Sequence, residues 1–437
     1  MRRPGTWAAL AAALTVAGGA TVVLVAGASA GSQQQGPIII GAAMDLTANM
    51  SPYDTPALYA VQVQAKKINA AGGVDGRQLQ VKVCNHQLKK QKACALQLIR
   101  QGAQIGMVTC DVEFAAPATQ AFIASGRLAL APCIGTDQQG PKRFGPRGRL
   151  AFTLGNIAQD EGAAMAEYSY KRGWRTAIIV QDNLLAYFRD IGAAFKVRFQ
   201  QLGGRIVQEE AFTSFSNTIN NALGRVARTR ADVIVFPTAF DGLAPFVGGL
   251  RSLGNNTPII NSWGGDGNYW WPRNPKVTNY YYVTYGSIFG DDPNRTVNAL
   301  VRQVRALNKG RLPATGSFIP GADLVDALVA AIERAGGSTN GARLAAQFEK
   351  FKRFPVTSGR ITYSTSVHGV TGRPAVLEDG EAGEHRLSES PCRRRKRPNA
   401  NGGPGGCSGP PPSRARTRAC MPSATSPWSC DGTRSSG

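Results

Sequence analysis

Nothing constrains this chain more than an alternation: short apolar runs and amphipathic segments follow one another from residue 37 onward. "PIIIGAAM" (37–44) is continuously apolar, the pattern of a strand buried on both faces of a parallel sheet. The loop "DLTANMSPYDTP" (45–56) comes next, then a helical segment from about Ala57 to Ala71. In "INAAGGVDGRQLQV" (68–81) the helix stops at Gly72 and Gly73, which take a left-handed conformation without a Cβ penalty. Gly76 marks a second tight turn before the strand "LQVKV". The cycle continues through helix "KKQKACALQLIRQG", strand "IGMVTC", helix "AAPATQAFIASG" and strand "LALAPC".

A polar, glycine-rich stretch, "IGTDQQGPKRFGPRGR" (134–149), separates this series from a second one. "LAFTLG" opens the second series and leads into helix "QDEGAAMAEYSYKRG" and strand "TAIIVQD". Helix "FRDIGAAFKVRFQQLGG", strand "RIVQEEAF", helix "NTINNALGRVARTR", strand "ADVIVFP", helix "GLAPFVGGLRSLG" and strand "TPIINSW" complete it. Strand–helix alternation implies right-handed crossovers and a parallel sheet covered on both faces. Two series imply two doubly wound α/β lobes. Beyond Trp263 come an aromatic strand, "NYYYVTYGSIF", then helices "TVNALVRQVRALN", "GADLVDALVAAIERAGG" and "NGARLAAQFEKF", and a late strand "GRITYS". The simplest topology returns the chain to the first lobe and then to the second, so that several crossings form a hinge. The expected layout is 37–151 plus 286–355 for lobe 1 and 152–285 plus 356–384 for lobe 2.

The 437 residues suffice for two such lobes. Arg2 and Arg3, an apolar run, and Ala28-Ser29-Ala30 read as an export signal over 1–30, followed by a polar linker at 31–36. A retained membrane anchor is the other reading of that run. No Cys stands at the cleavage point, so a lipid-anchored form is not expected. Export places Cys84, Cys94, Cys110 and Cys133 in an oxidising compartment, where disulfides form and three pairings are open. With no CxxC and only three His, no metal site is expected. The net charge of +22 invites a nucleic-acid reading. Its concentrated part lies in "RRRKR" (393–397) and "SRARTR" (413–418), while the rest is dispersed over polar helix faces, so no nucleic-acid partner is expected. From about residue 385 the periodicity gives way to Pro, Gly, Ser, Arg and Cys. That segment, 385–437, reads as a disordered tail or as translation in a shifted frame.

The segment from "IGAAM" to "LQVKV", with its helix ending "INAAGGVDG", resembles the N-terminal signature of type I periplasmic solute-binding proteins of the branched-chain amino-acid/amide class. "TCDVEFAAPATQA", "LALAPCIGTD", "AFTLGNIAQDEGAAMAEY", "VIVFPTAFDGLAPFVGGLRSLG" and "GRITYSTSVHGVTGRPAV" follow in the order typical of that family, across about 37–377. The resemblance implies two lobes that close on a small solute such as an amino acid, amide or small carboxylate. It also implies an ABC permease and ATPase as partners, no cofactor, and a monomer that is periplasmic or at the cell surface.

By the same resemblance, the ligand-facing candidates are Tyr53, Asp111, Thr136, Tyr187, Phe240, Asp241, Trp263 and Asp266. Tyr53 falls in the first strand–helix loop, and Thr136 sits near the fourth strand as a donor to an anion. At the position of Asp111 amino-acid binders carry a small hydroxyl residue; an aspartate there repels a carboxylate unless protonated or turned away. Tyr187 and Phe240 read either as aromatic walls or as lobe packing. Asp241, Trp263 and Asp266 place a carboxylate beside an aromatic face, which suits an ammonium or amide; Asp266 reads alternatively as a helix cap.

An enzyme is the rival class, but the patterned chain from residue 37 onward has no G-x-S-x-G elbow, phosphate loop or H-E-x-x-H. His86 and His368 would have to carry any hydrolytic dyad, and no catalytic residue is expected. A sensor domain of the same fold is the remaining alternative.

Overall fold

The first strand shows why the alternation becomes a sheet. All of β1 (Ile38–Met44) except Ile39 is buried, which only a central strand with cover on both faces achieves. The computed structural model describes residues 36–381, 384–388 and 418–419. Around β1, the chain forms α1 (Ser51–Ala70), β2 (Leu79–Asn85), α2 (Gln91–Arg100), β3 (Ile105–Val108), α3 (Val112–Ala124), β4 (Leu128–Ala131), the short α4 (Pro141–Phe144) and β5 (Ala151–Thr153). The strands lie in the order β2-β1-β3-β4-β5, all parallel.

The second lobe is built from α5 (Ala158–Lys171), β6 (Thr176–Asp182), α6 (Ala186–Gln201), β7 (Arg205–Phe212), α7 (Ile219–Val226), β8 (Val233–Val235), α8 (Leu243–Ser252), β9 (Ile259–Asn261) and β10 (Tyr280–Thr284). Its parallel order is β7-β6-β8-β9-β10. Then α9 (Arg295–Leu307), α10 (Phe318–Arg334) and α11 (Gly341–Phe348) carry the chain back to the first lobe. There α10 crosses α1 so closely that a Cβ on Gly321 would stand 2.5 Å from the Ala57 carbonyl oxygen. A small antiparallel hairpin of β11 (Phe354–Val356) and β12 (Gly359–Ile361) follows. Finally β13 (Ala375–Glu381) joins the second sheet antiparallel to β10. β14 (Glu384–Ser388) and β15 (Arg418–Ala419) both pair with β13. The fold is therefore the expected one, two doubly wound α/β lobes, with the chain passing between them at 154–157, 285–294 and 362–374.

Gly72 and Gly73 have positive φ, 105° and 83°. Gly73 N–H donates to the Ile68 carbonyl at 2.9 Å and Gly72 N–H to that of Asn69 at 3.1 Å, a Schellman end to α1. The Asn69 side chain grips Leu79 by both its N–H (2.7 Å) and its C=O (2.9 Å). The helix end and the next strand are thereby fastened together.

Four local readings change. "LAFTLG" does not open the second lobe: β5 pairs with β4 and closes the first sheet. The glycine-rich stretch before it is an excursion into α4 and a 3-10 turn (Gly145–Leu150), not an interlobe crossing. "GRITYS" joins neither large sheet, because the chain reverses between β11 and β12 and pairs with itself. α1 begins at Ser51 rather than near Ala57. Pro52 fits its first turn, and the carbonyl of Pro52, left without the N–H that Pro56 lacks, accepts from the Thr315 hydroxyl at 3.0 Å. The tail reading lies outside the described residues apart from the two short strands β14 and β15, and the export-signal and linker readings lie outside them entirely.

Arg373, buried at the crossings, holds them together. It donates to Asn156 Oδ1 (2.7 Å), to Asp323 Oδ2 (2.8 Å), to Ser358 Oγ (2.8 Å) and to the Leu154 carbonyl. Burial pushes the Asp323 carboxyl up to about 6 despite that partner.

Candidate functional site

Carboxyl ends of parallel strands are where loops converge, and in open α/β sheets ligands bind there. Both sheets direct those ends toward one cavity. Met50 and Tyr53 reach it from the segment after β1, Cys110 and Asp111 from the end of β3, and Gly135 from the end of β4. Leu185, Tyr187 and Phe188 face them from the segment after β6. Ala239 and Phe240 come from the end of β8, and Trp263 and Gly264 from the end of β9. The walls are nearly in contact: only about 20 Å³ is open to the centres of water molecules, room for one or two waters.

The first-lobe wall is assembled on two carboxylates. Asp45 accepts from the N–H groups of Thr47 (3.1 Å), Ala48 (2.7 Å) and Met50 (2.9 Å), which winds the loop after β1. Asp54 accepts from Asp45 N–H (2.8 Å), the Thr109 hydroxyl (2.6 Å) and Cys110 N–H (2.9 Å). It thereby ties the α1 start to the end of β3. Burial raises Asp54 to about 7, against these hydrogen bonds. Disulfides pair Cys110 with Cys133 and Cys84 with Cys94. The first joins the ends of β3 and β4, its Cys110 lining the cavity; the second joins β2 to α2.

Asp111 is the N-cap of α3, its Oδ1 accepting from Phe114 N–H at 3.1 Å. Burial, reinforced by the nearby Glu113 carboxylate, pushes it up to about 8. Across the cavity, Glu161 from the first turn of α5 accepts from Trp263 N–H (2.7 Å) and from the Tyr187 hydroxyl (2.8 Å to Oε2). It fixes both aromatic walls, and burial pushes it up to about 7. Trp263 lies edge-on to Tyr53, with centroids 5.2 Å apart, and 6.0 Å from Tyr187. Its Nε1 is buried with no acceptor among the described residues. Phe240 adopts φ 59°, an uncommon conformation for an aromatic residue that strains the backbone, and stands between Tyr53 and Phe188 (6.4 Å each).

Five of the eight expected residues therefore share one cavity: Tyr53, Asp111, Tyr187, Phe240 and Trp263. Tyr53 does so from the first turn of α1, not from a loop. Thr136 is buried beside Gly135 and donates to Asp190 across the lobes at 3.4 Å. Asp241 points outward and accepts from Phe215 N–H at 3.1 Å. Asp266 caps no helix; it is buried across the lobe boundary and accepts from Gly316 N–H (2.7 Å) and the Thr284 hydroxyl (3.2 Å). Burial raises its carboxyl well above the ordinary range. Sequence reasoning passed over Asp54, Gly135 and Glu161. An acid in the first turn of a helix ordinarily serves the helix dipole in solvent, so neither acid stood out.

Residues 37–378 match the family model described as periplasmic binding protein. The chain is 23% identical over 370 residues to the Leu/Ile/Val-binding protein BraC3 of Rhizobium johnstonii, covering 83% of this chain and 97% of that protein. Among solved structures it is similar to the branched-chain amino acid transporter substrate-binding protein LivJ of Streptococcus pneumoniae, in complex with isoleucine. That match has a TM-score of 0.69 and 19% identity, over 80% of this chain and 99% of that one. It is also similar to a solute-binding protein of an ABC transporter from Rhodopseudomonas palustris in complex with 3,4-dihydroxybenzoic acid (TM-score 0.66, 16% identity, 80% and 95% covered).

Proposed function

Because this chain belongs to the periplasmic binding protein family, a family and fold of exported solute-binding proteins, we propose that it captures a small polar solute between its lobes. It then delivers that solute to the permease and ATPase of an ABC importer, acting as a monomer and performing no chemistry on its cargo. The observation that carries this reading is one cavity built from both lobes at the carboxyl ends of both sheets. A solute seated there touches both walls only when the lobes are shut, so binding favours closure. The moving units keep the expected layout with two boundaries shifted to the crossings: about 37–153 with 286–361, and about 154–285 with 362–381.

The test is a solute screen by thermal shift, followed by small-angle scattering of each hit. A saturable stabilisation together with a smaller radius of gyration supports the proposal. Stabilisation with an unchanged radius removes lobe closure from it.

A further inference from the structure

The cavity carries its own carboxylate and, among the described residues, no basic side chain lines it. From these facts we infer that the cargo is an organic ammonium without a carboxylate, its cationic head held by Asp111 and the surrounding aromatic rings. The inference rests on the proposed solute-binding role and names the chemical class that role serves.

Three observations carry it. The first is where Asp111 sits. The N-terminus of a helix is a ready place for an anion, through its free N–H groups and dipole. Here that place is taken: Asp111 spends its Oδ1 on the Phe114 N–H of the 13-residue α3. A ligand carboxylate arriving there would find the Phe114 N–H already taken by a carboxyl group of the protein. The second is the absence of a counter-charge. Arg143, the nearest guanidinium to this acidic pair, lies 3.6 Å from Glu113 and donates to Gln138 at 2.9 Å. It is not part of the cavity wall. The third is the wall itself. Tyr53, Tyr187, Phe188, Phe240 and Trp263 bring five rings to the cavity, and ring faces attract cations, most strongly when water is excluded. The orphaned Trp263 Nε1–H is a donor, so a cargo that also carries a hydroxyl, ether or amide oxygen satisfies it.

The groups that face Asp111 agree with this reading. Glu113 on the same helix raises its carboxyl and Arg143 lowers it, burial having the largest influence. Tyr53 and Tyr187 remain neutral phenols, both held protonated by burial. A bound ammonium supplies a positive partner inside the cavity, whose wall Arg143 does not join.

The test uses the full chain, by calorimetry and thermal shift at pH 7.5, with matched sets: phenethylamine, phenylalanine and 2-phenylethanol; isopentylamine and leucine; benzyltrimethylammonium and benzoate. The expected result is that each amine binds at least about tenfold more tightly than the amino acid of the same skeleton. In Asp111→Asn an oxygen still caps Phe114 N–H, so the fold is kept. That variant should lose about tenfold or more for the amines with little change for the neutral alcohol. Phenylalanine, leucine or benzoate binding as tightly as its amine overturns the inference while leaving solute capture standing. No binding by any compound overturns both. Undiminished amine affinity in Asp111→Asn overturns the assignment of Asp111.

Discussion

The Tyr53 hydroxyl donates to the Gly264 carbonyl at 2.5 Å, joining residues 211 positions apart from opposite lobes. Its oxygen also stands 2.8 Å from that of Tyr269. The bond links the two walls of the cavity. Tyr53→Phe keeps the ring and the packing but leaves the Gly264 carbonyl without this donor, at a cost of about 1–2 kcal/mol to the closed form. The affinity for whichever solute binds should fall about tenfold by calorimetry, with little change in the unliganded melting temperature. An unchanged affinity would show that closure around the solute does not use this bond.

Gly135 sits where two aromatic walls meet. A Cβ there would stand 2.4 Å from the Tyr187 ring and 2.9 Å from Trp263 Nε1. The backbone itself tolerates alanine, since Gly135 is not among the glycines with positive φ. Gly135→Ala should therefore fold, with a loss of about 1–3 kcal/mol from overpacking, and bind its solute at least about tenfold more weakly. Denaturant melts and calorimetry separate the two effects. Full retention of binding would mean that Tyr187 and Trp263 yield without consequence.

The two disulfides should differ in kind. Each closes a short loop, 23 residues for Cys110–Cys133 and 10 for Cys84–Cys94, and loop entropy predicts a loss of about 3 kcal/mol on removing either. Of the two, only Cys110–Cys133 reaches the cavity, where Cys110 lines the wall beside Asp111. The double Cys→Ser change there should lower both melting temperature and solute affinity; the same change at Cys84 and Cys94 should lower melting temperature alone. Equal affinities in the two variants would contradict this distinction.

Stability should fall as pH rises. Burial holds Asp54 and Glu161 near 7 and Asp111 near 8 in the folded chain, whereas unfolded carboxyls ionise near about 4. Above about pH 4 the unfolded chain has released these protons and the folded chain retains them. Their contribution is complete below the unfolded value and is lost as pH climbs through the folded values. The melting temperature should decline from pH 5 to pH 8.5, and Glu161→Gln should make the decline shallower. A melting temperature that rises across this interval would mean that these carboxyls are ionised when folded.

The fold was open to sequence reasoning because β1 and β3 are apolar throughout and α1, between β1 and β2, ends on a glycine pair. Such signals are local, and they survive any tertiary arrangement. The assignment of β5 was not local: three buried residues do not announce which sheet they join. The cavity was half readable. Tyr53, Asp111, Tyr187, Phe240 and Trp263 follow strand ends, where the fold gathers its loops. Asp54 and Glu161 escaped because their partners, Cys110 and Trp263, are 56 and 102 residues away. Thr136, Asp241 and Asp266 follow strand ends too, but their side chains find Asp190, Phe215 N–H and Gly316 N–H instead of the cavity.

The close crossing of Gly321 over Ala57 has a bearing on how this protein is made. The apolar side of α1 receives its cover from α10, which ends at Arg334, so the first lobe stays unfinished through synthesis of nearly the whole second lobe. Neither lobe is a contiguous stretch of chain that could mature while the ribosome is still at work on the other. Long-range pairing of this kind is slow and leaves sticky surface open meanwhile. Until α10 has been made, the first lobe is therefore still an unfinished, threadable chain.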